Sequence, residues 1–219
     1  MYVNIKLPEI KEHSRGFPGY WMRVIFSGSP AQEYADHAIM STYVRSIESA
    51  LYSYGAARQG AIRYWDHGGN LNWADLMASS SHLEHCITDT HRAIEMLRAL
   101  YRRPDLPKEI LGWISPKPDV LKGATRERIR KMRVAIHHLD DLVRRGELPA
   151  NSPFFPRVGG PEEPLPSEPG QTIKTIDRVE LGTMEVRFEE LRSWLLDLAA
   201  IASRMAGGPV PSVPSHLQM

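Results

Sequence analysis

The chain has 219 residues, 42% hydrophobic and 24% charged, with a formal net charge of +1. It can bury one sizeable core, and the composition excludes a wholly disordered polymer, a membrane-embedded chain and a globally basic nucleic-acid binder. Cys86, the single cysteine, excludes an internal disulfide, and Arg supplies 20 of the 27 basic residues, a bias suited to phosphate recognition but also produced by a GC-rich genome.

Residues 1–28 mix short alternating stretches, Tyr2 to Leu7 and Tyr20 to Phe26, with Pro8, Gly16, Pro18 and Gly19. They read as an irregular or β-hairpin-like lead-in. Charges stand where a secretory signal needs an apolar stretch, and no run is long enough to span a bilayer, so the expectation is a cytoplasmic protein without a membrane partner.

Ser29, Pro30 and Gln32 have the spacing of a helix start, and Met40, Tyr43, Val44, Ile47, Leu51 and Tyr54 recur at helical intervals, predicting a first helix over about 30–55. Gly68 and Gly69 interrupt it, and Trp73, Leu76 and Met77 suggest a short helix. A capping box at Ser81–Glu84 then predicts a second long helix through Leu83, Ile87, Ile94, Leu97 and Tyr101, ending before Pro104. A third helix is expected over about 125–145, with Ile129, Met132, Ile136, Leu139 and Val143 inward and Gly146 as its stop.

Residues 147–170 hold seven prolines and three glycines, which forbids a helix or a central strand and predicts an extended insertion. Thr172–Ile176 and Thr183–Phe188 are expected to pair as a hairpin, and Phe188, Leu191, Leu195, Leu198, Ala202 and Met205 define a fourth helix. Pro209, Pro211 and Pro214 mark a disordered tail over 207–219. The expected fold is mainly all-α: an up-and-down four-helix bundle over 29–206, with a small β-hairpin and a Pro-rich insertion.

Chemistry concentrates in the third helix. Between Thr125 and Arg145 seven Lys or Arg face three acids, an excess of four positive charges in a nearly neutral chain. At about 100° per residue, an inward apolar stripe sets Arg130, Val134, His138 and Asp141 on the outer face, with Arg133 and His137 on one flank. Arg133 and His138 diverge by about 140°, so their meeting requires a long Arg reach or a second copy of the helix.

Arg133-x4-His138, late in a helical array and followed by Asp140 and Asp141, resembles the motif of the HEPN superfamily of small helical bundles. The resemblance implies a homodimer whose Arg and His line a shared cleft, and a metal-independent endoribonuclease of toxin or defence type, with RNA and a cognate antitoxin as partners and no cofactor. It further implies His138 as general acid/base and Arg133 as phosphate clamp, supported by His137, Arg130 and Asp141. The residue after the motif Arg is often polar in that family, whereas here it is Val134.

Two other functional readings compete. One is a non-catalytic module of the same fold that binds RNA or a protein. The other is a metal-dependent bundle hydrolase built on His82, His85, Asp89 and His91, with His137 and Asp141 as further donors. The third possibility is structural: a solvated basic face laced by pairs such as His137 with Asp141. Cys86 reads as a buried small hydrophobe, and the glycines match no phosphate-binding loop.

Overall fold

A computed structural model describes residues 1–13, 15–27, 33–66, 72–146, 156–181 and 184–207, the side chains of Ser27, Asp140 and Leu142 excepted. The fold is mainly helical, with two small sheets of three strands each. Strand β1 (Tyr2–Ile5) and helix α1 (Pro18–Ser27) precede two long helices, α2 (Tyr34–Asp66) and α3 (Trp73–Tyr101). Helix α4 (Lys108–Ile114) and a 3-10 turn at Asp119–Leu121 lead to α5 (Gly123–His137) and α6 (Leu139–Arg144). Strands β2 (Arg157–Gly159), β3 (Glu162–Pro164), β4 (Thr172–Ile176), β5 (Arg178–Leu181) and β6 (Met184–Arg187) precede α7 (Phe188–Met205).

Helices α2 and α3 pack against each other along their lengths as an antiparallel pair. The cross-contacts show this: Arg103 pairs with Asp36, Ser49 donates to Asp89, Ser79 donates to the Ala57 carbonyl, and Arg63 pairs with Asp75. As one residue number falls the other rises. Gly60 permits the closest approach, because a Cβ there would stand 3.0 Å from the Asp75 carbonyl oxygen. Both helices exceed their expected extents, since the Trp73–Met77 segment and the Ser81–Glu84 box lie inside one continuous α3. The predicted cap at Ser29, Pro30 and Gln32 falls outside the described residues.

Helix α7 lies against α2 and buries nine side chains, from Phe188 to Met205. The buried Tyr43 hydroxyl ties the two helices by donating to the Leu198 carbonyl at 2.7 Å. Helix α5, packed on α3, buries only Ile129 and Met132. At about 2 kcal/mol for each fully buried apolar side chain, α5 is far less firmly seated than α7. Of the expected inward stripe, Ile136 and Leu139 are half-buried and Val143 is 59% exposed.

The sheets differ from their expected form. Rather than pairing with a neighbour as a lead-in hairpin, β1 runs parallel to β4, with Tyr2 opposite Ile173 and Ile5 opposite Ile176. Tyr20–Phe26 is helical, within α1, where Glu48 accepts from the Phe17 backbone N–H and the Trp21 indole. The hairpin expected between Thr172–Ile176 and Thr183–Phe188 forms instead between β5 and β6, while β4 joins β1 and β3. Asp177 ends one strand and directs the chain into the other sheet: its backbone N–H donates to Gly159 and its carbonyl accepts from Phe188. Within the Pro-rich stretch, β2 and β3 are edge strands, where a missing N–H is tolerated. The start of that insertion and the expected tail from residue 208 onward lie outside the described residues.

Candidate anion-binding cleft on helices α5 and α6

The predicted third helix is two helices. His138 leaves the helical region, with φ −112° and ψ 28°, although its backbone N–H still donates to the Val134 carbonyl at 3.0 Å. Neither Pro nor Gly stands in 134–141; the run His137-His138-Leu139-Asp140-Asp141 is rich in weak helix formers, on a helix that little buried surface holds straight.

A straight helix presents a convex face, so a concavity lined by one helical run requires a bend. The break supplies it. Arg130, Lys131, Val134, Ala135, His138, Asp141, Arg144 and Arg145 line an open cleft of about 600 Å³ on α5 and α6. Val134 and Ala135 give it an apolar floor, and among the described residues four cationic side chains and one carboxylate line it. Arg130 is steered by Glu127, which accepts from its Nε at 2.8 Å and its Nη2 at 2.7 Å. That bidentate contact holds the Glu127 carboxyl below its ordinary range. His138 Nδ1 stands 3.5 Å from an Asp141 carboxylate oxygen, and both side chains are more than half exposed. The surface pairing therefore joins Asp141 to His138 and not to His137.

Arg133 and His137 do not line the cleft. They occupy the flank of α5 that faces α3, where Arg133 bears on both His91 and His137. Burial first, then the charges of Arg133, His138 and Arg92, depresses the His137 pKa below the ordinary 6.5. Burial also lowers His91, with Arg133, Arg130 and Arg98 adding to the depression and Glu95 opposing it. Of the five sequence-predicted site residues, the structure thus brings together Arg130, His138 and Asp141 and sets Arg133 and His137 apart from them. Lys131, Arg144 and Arg145, which the sequence reading counted as charge without placing, complete the cleft.

The residues of the metal reading are dispersed. Asp89 accepts from Ser49 and Arg92, His82 meets the edge of the Tyr52 ring, and His91 faces α5. Among the described residues no group of three or more His, Cys, Asp or Glu is placed to hold a metal ion. Cys86 is buried, and its thiol is pushed up to about 12, chiefly by desolvation, so it packs as a small hydrophobe. Among the described residues no helix is long and apolar enough to cross a membrane.

Comparisons with protein-family models, curated proteins and solved structures find no match to this chain.

Proposed function

We propose that this protein is an RNA-binding helical module of HEPN-like, four-helix-bundle type, in which the α5–α6 cleft holds phosphates of a single strand. One observation carries this reading: Arg130, Lys131, Arg144 and Arg145 converge on one concave surface of a chain whose net charge is only +1. Counterion release from phosphates then supplies the affinity, and the apolar floor at Val134 and Ala135 offers a base or ribose a dry contact. The Arg133-x4-His138 resemblance supports RNA over other polyanions. Fluorescence anisotropy with a labelled single-stranded RNA in EDTA tests the reading. Binding should weaken with salt and weaken several-fold in Lys131→Ala; binding that is absent, or identical in that variant, refutes it.

A second reading, metal-independent RNA cleavage of toxin or defence type, is favoured by the contact between His138 and Asp141. A carboxylate beside the imidazole orients it, and an imidazole is suited to take the proton of a ribose 2′-hydroxyl as it attacks the adjacent phosphate. Arg133, on the other flank, would then serve the His138 of a second copy across a twofold axis. The test is cleavage of RNA in EDTA by wild type, His138→Ala and Arg133→Ala. Shared sites predict that mixing the two inactive variants restores part of the activity; unchanged cleavage in either variant removes this reading.

A further inference from the structure

Residues 7–13 and 16–17, between β1 and α1, lie against α2. Tyr54 donates its hydroxyl to the Pro8 carbonyl at 2.7 Å, Arg58 Nε donates to the Leu7 carbonyl at 2.8 Å, and Arg192 of α7 donates to the Glu9 carbonyl at 3.2 Å. Further along, the Phe17 N–H and the Trp21 indole donate to the two oxygens of Glu48 at 2.7 and 2.8 Å. Between these anchors a cavity of about 300 Å³ is left, at the lower end of the range for small-molecule pockets. Gly55 lines it, and a Cβ there would meet nothing within 4 Å.

His13 lines the same cavity and is only 7% exposed. Its ring stands 5.6 Å from that of Phe17, yet among the described residues neither ring nitrogen makes a hydrogen bond. A polar group buried without a partner costs free energy that a ligand able to hydrogen-bond it recovers. Burial also holds the imidazole below the ordinary 6.5, against the opposing pull of Glu12, so at neutral pH one ring nitrogen keeps a lone pair and accepts. Glu48 adds a carboxylate to which no cation is paired among the described residues, and its two hydrogen bonds leave lone pairs on both oxygens. One turn brings it beside His13: the Gly16 N–H donates to the His13 carbonyl at 3.0 Å, and a Cβ on Gly16 would stand 2.7 Å from Glu48 Oε1. The other charges at the cavity are already engaged, Glu9 with Lys11 at 3.3 Å and Arg58 with the Leu7 carbonyl.

An acceptor without a donor and a negative charge without a counter-charge call for the same occupant. We propose that this cavity is a binding site for a small organic amine, its ammonium donating to Glu48 and His13 and its apolar body lying against Ile10, Leu51 and Tyr52. The site is independent of the RNA reading: it is built on α2 and takes a cation, where the α5–α6 cleft takes an anion.

Benzylamine, protonated at about pH 7, is the probe, with benzyl alcohol and benzoate as neutral and anionic controls bearing the same ring. On the intact protein at constant ionic strength, NMR should show saturable shifts of the His13 Cε1–H and Trp21 indole N–H resonances, with a Kd on the order of 1 mM for so small a molecule. Gly55→Leu, which fills the cavity from a position where a Cβ is tolerated, should abolish them. Glu48→Gln should weaken binding about tenfold by removing the charge. Equal shifts with benzyl alcohol or benzoate, no shift at about ten times the expected Kd, or undiminished binding in Gly55→Leu or in folded Glu48→Gln overturns the site. Because Glu48 also holds the Phe17 and Trp21 N–H groups, an unfolded Glu48→Gln chain leaves Gly55→Leu and the two controls to decide.

Discussion

His138 Nδ1 lies 3.5 Å from the Asp141 carboxylate, and the pair spans the break that divides α5 from α6. Among the described residues lining the cleft this carboxylate is the one negative side chain, so its removal has a definite sign. Asp141→Asn should tighten RNA binding several-fold, because the strand no longer meets a like charge. A weaker complex, measured by anisotropy, would mean that Asp141 holds the cleft in shape and that phosphate contacts do not dominate there. If cleavage occurs, the same variant should cleave more slowly despite binding better, and His138→Ala should lose about a hundredfold or more in rate.

Lys131 tests the electrostatic origin of the affinity. Lys131→Ala should flatten the dependence of log affinity on log salt by about one unit, the effect of one lost phosphate contact. Lys108→Ala, at the exposed start of α4, should leave both affinity and slope unchanged. Equal effects in the two variants would point to diffuse attraction with no cleft involved.

Two glycines of α2 should respond oppositely to the same substitution. A Cβ on Gly60 meets the Asp75 carbonyl at 3.0 Å and the Ser79 Cβ at 3.2 Å, whereas one on Gly55 meets nothing within 4 Å. Gly60→Ala should destabilise by about 1–3 kcal/mol through overpacking of the α2–α3 seam. Gly55→Ala should stabilise by about 0.5–1 kcal/mol, as Ala outranks Gly in a helix interior. Urea denaturation midpoints decide both signs.

The histidines make stability depend on pH. His13, His91 and His137 all have pKa values depressed below 6.5, with burial the largest cause in each. As pH falls below 6.5 the unfolded chain takes up protons before the folded one does, so this contribution is present above 6.5 and is lost as pH falls through the folded values. The urea midpoint should be lower at about pH 5.5 than at about pH 7.5, and the difference should shrink in His91→Gln/His137→Gln. An unchanged difference in that variant would assign the effect elsewhere.

Periodicity made the helices legible. Met40 to Tyr54, Leu83 to Tyr101 and Phe188 to Met205 announced α2, α3 and α7, because each buries a continuous stripe. The strands were less so: β1 pairs with β4 across about 170 residues, and no local pattern encodes a partner that distant. The grouping of Arg130, Val134, His138 and Asp141 follows from their helical phase, since all four fall within one face. The bend did not follow from it. It depends on how shallowly α5 is seated, a property of packing that sequence spacing does not carry, whereas Arg133 is held on the flank by helical phase alone.

Backbone amide NMR of the ¹⁵N-labelled protein titrated with a short single-stranded RNA, at low salt and in EDTA, reads the binding surface residue by residue. Saturable shifts should centre on Arg130, Lys131, Val134, His138 and Arg144, and the amides of α1 and α4 should stay in place. Shifts that avoid α5 and α6, or resonances that do not move at saturating RNA, would contradict the proposal that the broken helix is where this protein holds its ligand.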